Sequence, residues 1–170
     1  AVSVFQEDLP FQANWKYSID TFFETYHLNS LHKDTFRGFF SPHCVFETFG
    51  PHHRYTFAPK IVHDWVNMPE SEWNLHLVPL EYFLFPNAFF FPGINIRLCY
   101  RFRPLDVDHC LHEILLLQPL PPGKPRPAPA KPIRLEVDDS YTTVPGFALA
   151  SILDQDTDNL RAQQQGFRAS

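Results

Sequence analysis

Two histidines with four residues between them, His27 and His32, lie near the start of the 170-residue sequence, and Glu24 stands just ahead of the first. Two neutral imidazoles and one carboxylate from elsewhere make a facial triad, which leaves positions open on a ferrous ion for O2 and a substrate. The spacing alone is weak evidence, because nine histidines in this length give about half a pair by chance at any one separation. The surrounding residues must therefore support the metal-site hypothesis.

The segment that carries these histidines has the pattern of an amphipathic helix. Apolar residues recur at three- and four-residue steps over residues 15–27, which predicts a helix with one face toward a core. On that helix Asp20, Glu24 and His27 would form a polar stripe, and a metal ion is one partner that such a stripe can have. Because a five-residue step turns an ideal helix about 140° past one full turn, we expect either His27 or His32 to lie where the helix ends or distorts.

The carboxylate of a triad must come from a distant part of the chain. Asp156, in a predicted C-terminal helix, is the best-placed candidate, and Asp154 and Asp158 lie two residues away on other faces. The sequence by itself does not choose among the three. The alternative is that all three are solvated acids near a helix N-terminus, where the helix dipole favours negative charge.

The remaining elements read as a sheet followed by a helix. Runs of aromatic and β-branched residues separated by turn residues predict antiparallel strands at residues 44–49, 54–57, 75–85, 88–91, 94–102, 110–117 and 134–143. Seven prolines within residues 119–132 predict an extended surface loop. The leucine spacing over residues 147–165 predicts a helix that stops near Gly166. This order predicts an α+β fold with an antiparallel sheet wrapped around a long C-terminal helix.

Length and composition limit the classes of function. A chain of 170 residues is expected to form a single domain over residues 1–170, and its 18 phenylalanines favour flat, apolar ligands. A net charge of -5 with scattered basic residues argues against nucleic acid and anionic membranes as partners. With no membrane-length apolar run and no signal-like start, we expect a soluble cytoplasmic protein. Three widely separated cysteines argue against disulfides and thiolate metal sites.

Four segments together resemble the catalytic domain of Rieske-type non-haem iron aromatic-ring-hydroxylating oxygenase alpha subunits: NWKYSIDTFFETYHLNSLH, FLFPNAFFF, RFRPLDVDHCLHEILLLQP and LDQDTDNLRAQQQGFRAS. The resemblance covers nearly the whole chain. Its most specific parts are an acid and a tyrosine before paired histidines, here Glu24, Tyr26, His27 and His32, and a terminal motif, here Gln155, Asp156, Gln164 and Gly166. Gln155 stands where the family usually has Glu.

The resemblance implies a fold and a set of site residues. The fold would be the helix-grip architecture, START/Bet v1-like, with a deep apolar cavity and iron at its inner end. His27, His32 and Asp156 would hold mononuclear Fe(II). Glu24 would be the carboxylate that links the histidine on the iron to a Rieske-cluster histidine, which the neighbouring subunit donates in trimeric members. Asp20, one turn earlier, would support Glu24.

The resemblance also implies a reaction and its partners. The domain would act as a monooxygenase or dioxygenase on an aromatic or other apolar substrate with O2, as in aromatic hydrocarbon catabolism. A Rieske [2Fe-2S] centre needs two Cys and two His, in the family as a C-x-H and C-x-x-H pair, and this sequence has no such pair. We therefore expect the cluster on a missing domain or a partner, with ferredoxin or reductase donors and a homotrimer as one assembly. The isolated domain is expected to be inactive without it.

Two other functions stay open at this point. One is a non-catalytic module of the same architecture that holds a hydrophobic ligand with the triad vestigial or empty. The other is a zinc hydrolase with the same ligands, which is weaker because the sequence has no H-E-x-x-H motif, although two His and one carboxylate also suit zinc.

Overall fold

The computed structural model describes residues 2–36, 38–92 and 97–169. The strands are β1 (Val2–Phe11), β2 (Phe40–Phe49), β3 (His52–Pro59), β4 (Leu80–Leu84), β5 (Ala88–Phe91), β6 (Arg97–Pro104), β7 (Cys110–Gln118) and β8 (Ile133–Arg134). The α-helices are α1 (Trp15–Phe22), α2 (Val62–Trp65) and α3 (Ala150–Arg168), and short 3-10 helices cover His27–Asn29, Glu70–Glu72, Leu75–Leu77 and Tyr141–Thr143. No helix in these ranges is long and apolar enough to cross a membrane.

The strands form one sheet in the order β2-β3-β4-β5-β6-β7-β1-β8. Its pairings are antiparallel except the parallel pairing of β1 with β8. The strands predicted at residues 44–49 and 54–57 are confirmed as parts of β2 and β3, which form a hairpin with Phe49 opposite His52 and a positive φ of 60° at Gly50 in the turn. The sequence pattern did not predict β1, because Glu7, Asp8 and other breaks interrupt its alternation.

Helix α3 packs against this sheet and closes the core. Leu153 and Leu160 lie on its buried face and belong to one cluster with Phe89, Tyr100 and Phe102 of the sheet. Asp156 lies on the same face of α3, between the two leucines, and is also buried. The prediction of an α+β fold with an antiparallel sheet and a long C-terminal helix is confirmed, and the packing carries Asp156 to the interior.

Several predicted boundaries were wrong. The strand predicted for residues 75–85 begins only at Leu80, because the preceding Pro79 has no N–H and a 3-10 turn comes before it. The helix predicted for residues 147–165 starts three residues later, at Ala150, because residues 148 and 149 form a turn. It also runs past Gly166, and the ring of Phe167 stacks on Tyr17 with centroids 4.3 Å apart.

Two further predicted strands differ from the structure. Of residues 134–143, only the first lies in a strand, and the segment ends in a 3-10 turn. Of residues 94–102, the first three lie outside the described residues, and β6 continues to Pro104. Residues 119–132 contain no helix or strand and are mostly exposed.

Candidate metal centre

Helix α1 ends well before His27 because of a glutamate side chain. The carboxylate of Glu24 accepts hydrogen bonds from the backbone N–H groups of Tyr26 and, at 3.2 Å, His27. A side chain that satisfies these donors competes with the helical carbonyls four residues back. The helix predicted for residues 15–27 therefore stops at Phe22, and His27 opens a separate 3-10 turn. His27 and His32 both lie beyond the helix end, whereas the histidine spacing led us to expect one of them where the helix ends or distorts.

The same carboxylate orients the ring of His27. Nδ1 of His27 lies 2.5 Å from Oε1 of Glu24. A carboxylate only accepts, so Nδ1 carries the proton and Nε2 of the neutral ring keeps its lone pair. Burial acts to raise the pKa of Glu24, but the hydrogen bonds that its carboxylate accepts from the His27 ring and from the backbone N–H groups of Tyr26 and His27 outweigh burial and lower that pKa. Glu24 is therefore ionised at neutral pH.

His32 is oriented by a residue whose role the sequence did not reveal. It is 1% exposed, and its Nδ1 lies 2.8 Å from Oε1 of Gln155 on α3. The amide oxygen accepts, so the lone pair of neutral His32 is again on Nε2. Gln155, where the resemblance leads us to expect Glu, offers His32 an acceptor that carries no charge.

Asp156 faces both lone pairs. Its Oδ1 lies 3.0 Å from Nε2 of His32 and 3.7 Å from Nε2 of His27. The ligand atoms of the three residues all lie within 4.8 Å of one another. Oδ1 is buried and has no hydrogen-bond partner when both imidazoles are neutral. Three converging lone pairs without a proton between them need a positive charge, and a divalent cation supplies it.

A proton on His32 competes with a metal ion for this position. Burial lowers the pKa of His32, but its contact with Asp156 and the bond to Gln155 outweigh burial, and the net pKa is raised. The donor set of two imidazoles and one carboxylate fits Fe(II) and, by the same chemistry, zinc.

The neighbouring acids have other environments. Asp154 accepts hydrogen bonds from the backbone N–H of Tyr141 at 2.9 Å and from Oγ of Ser140 at 2.5 Å, which caps a 3-10 turn. Asp158 is exposed on the outer face of α3. Of the three candidates, Asp156 is therefore the one beside both histidines. Asp20 is exposed on α1 and is not among the described residues that line the cavity, so its support of Glu24 stays a prediction.

The triad opens on an apolar cavity of about 300 Å³. This volume is at the lower end of the range for small-molecule sites, about 300–1,000 Å³. Aromatic and aliphatic side chains from helices and strands make up most of the wall, among them Phe22, Phe40, Phe57, Phe91, Leu98 and Leu153. Its polar members besides the triad are Glu24, Glu81 and Tyr100. The sequence analysis singled out neither Glu81 nor Tyr100, although Glu81 shares its strand face with Phe83, a pattern that points inward.

Glu24 lies between this cavity and a second hollow. The second hollow, of about 370 Å³, is more polar and is lined by Glu24, Thr25, Tyr26, His43, Cys44 and Tyr55. Tyr26 is 82% exposed there. Glu24 therefore borders both the cavity that contains the triad and the more polar second hollow.

A lone C-x-H sequence, Cys110-Leu111-His112, is part of the core and not of a cluster site. Sγ of Cys110 lies 3.6 Å from Oγ of Ser18, and Nδ1 of His112 lies 2.6 Å from the hydroxyl of Tyr141. Within the described ranges, the group of His, Cys, Asp and Glu residues close enough to hold a metal is the triad.

Solved structures share this fold. The quaternary ammonium Rieske monooxygenase CntA in complex with L-carnitine has a TM-score of 0.63 at 12% identity, over 96% of this chain and 38% of that one. Another structure of a quaternary ammonium Rieske monooxygenase, described for carnitine oxidation by gut microbiota and inter-subunit electron transfer, has a TM-score of 0.62 at 14% identity, over 99% and 41%. Naphthalene 1,2-dioxygenase from Rhodococcus sp. bound to indole has a TM-score of 0.60 at 15% identity, over 96% and 44%.

At these low identities the TM-scores show a common fold and no more, and the chain spans less than half the length of the chains it matches. No curated protein matches the sequence. A family model described as "Ring hydroxylating alpha subunit (catalytic domain)" matches residues 2–170, which is almost the full length. The chain therefore belongs to the family of ring-hydroxylating oxygenase alpha subunits, in the part that forms their catalytic domain.

Proposed function

We propose that this chain binds mononuclear Fe(II) through His27, His32 and Asp156 and, in the assembled oxygenase, inserts oxygen from O2 into an aromatic or other apolar substrate. The observation that supports this most directly is the convergence of three lone-pair atoms at the wall of an apolar cavity. A ligand set of two imidazoles and one carboxylate leaves coordination positions open. Bound iron would supply the activation of O2, which amino-acid side chains do not provide.

The chain's own contribution is ligation, orientation and a dry pocket. Glu24 and Gln155 keep the protons of His27 and His32 on Nδ1, so that both Nε2 lone pairs are available to the metal. The phenylalanine-rich wall favours a flat apolar molecule beside the triad over water.

Electrons would arrive from a Rieske [2Fe-2S] cluster on another domain or subunit, by way of Glu24. Glu24 contacts His27 on one side and borders the exposed hollow around Tyr26 and His43 on the other. A cluster histidine that enters this hollow would need only one carboxylate between itself and His27. A homo-oligomer, such as a trimer, served by ferredoxin or reductase donors fits this arrangement, and inter-subunit electron transfer is described for the related quaternary ammonium monooxygenase.

Anaerobic reconstitution with Fe(II) followed by metal analysis tests the iron site. We expect about one iron per wild-type chain. In Asp156→Ala we expect the bound iron to fall by about tenfold or more, because this substitution removes the anionic ligand of the triad. Asp158→Ala is the matched control, since it removes an exposed acid from the same helix. Circular dichroism checks that each variant is folded.

The same measurement separates the alternatives. A folded wild-type chain without stoichiometric iron, or an Asp156→Ala variant that retains it, would contradict the proposal. Binding of apolar compounds in a chain that takes up no metal would indicate the non-catalytic module. Retention of zinc with exclusion of iron would indicate the hydrolase.

A further inference from the structure

Glu81 is a buried carboxyl group in the cavity wall that the metal site does not use. It lies on β4, is 3% exposed, and lines the cavity together with the triad. The hydroxyl of Tyr100, on β6, donates a hydrogen bond of 2.5 Å to its Oε1. The Tyr100 ring is itself fixed between aromatic neighbours, stacked on Phe89 at 5.0 Å and tilted against Phe22 at 5.1 Å. The carboxyl therefore has a defined position.

This carboxyl is kept largely neutral by its surroundings. Burial raises the pKa of Glu81 to about 8, and the hydrogen bond from Tyr100 opposes this only in part. A protonated carboxyl retains one O–H donor besides the oxygen that accepts from Tyr100. The described lining of the cavity contains no Lys or Arg, so an anionic ligand would find no basic side chain there. A cationic ligand could form an ion pair with Glu81 only if Glu81 ionised.

We infer that Glu81 is a substrate-binding residue, and that its carboxyl donates a hydrogen bond to a carbonyl, ether or hydroxyl oxygen on an uncharged one- or two-ring compound. The inference rests on the proposed function and deepens it by naming the substrate class. The cavity of about 300 Å³ sets the ring count, and its phenylalanine wall sets the preference for a flat molecule. Glu81 would then fix the orientation of that molecule relative to the triad.

Two probes of the same shape test this hydrogen bond. Acetophenone carries a carbonyl oxygen where α-methylstyrene carries a CH2 group, and ligand-observed NMR gives the dissociation constant of each. We expect acetophenone to bind about two- to tenfold more tightly, the equivalent of one net hydrogen bond. The measurement is made on the chain with Fe(II) in the absence of O2 and on the metal-free chain. The preference is expected in both.

Variants assign the preference to Glu81. Glu81→Leu is expected to abolish it, and Glu81→Gln, whose amide keeps a donor, to retain it. Tyr100→Phe keeps the ring and removes the hydroxyl that holds Glu81, so it should weaken acetophenone binding more than α-methylstyrene binding. Glu47→Leu is the matched control, because Glu47 is a strand glutamate outside the cavity lining, and it should keep the preference.

Four results would overturn the inference. The first three are equal affinities for the two probes in the wild type, an unchanged preference in Glu81→Leu, and tighter binding of protonated 1-phenylethylamine than of acetophenone that is lost in Glu81→Leu. A preference seen only with iron bound would mean that the carbonyl contacts the metal, which also overturns it. Because the metal-free chain is measured as well, a failure of iron binding is distinguishable from a failure of this inference.

Discussion

Gln155 decides which nitrogen of His32 faces Asp156. Its amide oxygen accepts the Nδ1 proton at 2.8 Å, and this leaves Nε2 as the lone pair 3.0 Å from the carboxylate. Groups that orient metal-binding histidines in this way are worth about 10- to 100-fold in metal affinity or activity. The role of Gln155 is therefore separable from that of the ligand next to it in the sequence.

Gln155→Leu is accordingly expected to lower the Fe(II) affinity of the chain by about 10- to 100-fold, because Nδ1 of His32 loses its acceptor inside the protein. Gln155→Glu keeps an acceptor for Nδ1 of His32, and this variant should bind iron at least as tightly as the wild type. Anaerobic Fe(II) titration measures both. Gln163→Leu, an exposed glutamine of the same helix, serves as the control. Equal affinities for Gln155→Leu and the control would show that Gln155 does not orient the ligand.

At the scale of elements, Gln164 ties α3 to the start of α1. Its Oε1 accepts from the backbone N–H of Asn14 at 3.0 Å, and its Nε2 donates to Oδ1 of Asp108 at 2.9 Å. The side chain of Asn14 in turn caps α1 by accepting from the N–H of Lys16 at 2.9 Å. Because α1 leads to His27 and α3 carries Asp156, these hydrogen bonds help to keep His27 and Asp156 in place relative to each other.

Gln164→Ala is expected to lower the free energy of unfolding by about 1–3 kcal/mol, because the N–H of Asn14 and the carboxylate of Asp108 lose a partner. Urea denaturation measures the change. Gln163→Ala, at the exposed neighbouring position, should stay within about 0.5 kcal/mol of the wild type. An equal decrease in unfolding free energy in the two variants would mean that the substitution weakens the helix itself and not the hydrogen bonds of Gln164.

Element types were more predictable from the sequence than element ends. The apolar stripe of α1 continues to Tyr26, yet the helix stops at Phe22 and cannot resume through Tyr26, because Glu24 captures the backbone N–H groups of Tyr26 and His27. Hydrophobic periodicity does not report that competition. Similarly, the parallel pairing of β8 with β1 depends on contacts between residues more than a hundred positions apart.

The candidate site was predictable in its ligand types and less so in its supporting residues. Spacing and family resemblance pointed to His27 and His32, but the choice of Asp156 over Asp154 required the contacts of each side chain. A signal was available, since Asp156 lies three residues after Leu153 and four before the buried Leu160, on the face that packs inward. Glu81 had a comparable signal in its shared face with Phe83.

For the whole molecule, two buried groups set opposing pH dependences. Burial lowers the pKa of His112 from 6.5 to about 3, so between these values the unfolded chain binds more protons and stability falls as the pH falls. Burial raises the pKa of Glu81 from 4.5 to about 8, so between those values the folded chain binds more protons and stability falls as the pH rises. In the overlap, from about pH 4.5 to 6.5, the two contributions cancel.

Above about pH 6.5 the contribution of Glu81 is no longer opposed by His112, and Glu81→Gln isolates it. Gln cannot ionise, so relative to the wild type the variant should gain about 1.4 kcal/mol in unfolding free energy for each pH unit, with the gain levelling off near pH 8. Urea denaturation at intervals from about pH 5 to pH 9 measures the difference. Glu47→Gln, in which the glutamate is more exposed and paired with Arg54, is the control and should show a much flatter difference. A pH-independent difference for Glu81→Gln would mean that the Glu81 carboxyl is ionised in the folded protein, and an ionised Glu81 would leave the cavity with an acceptor where the substrate hydrogen bond requires a donor.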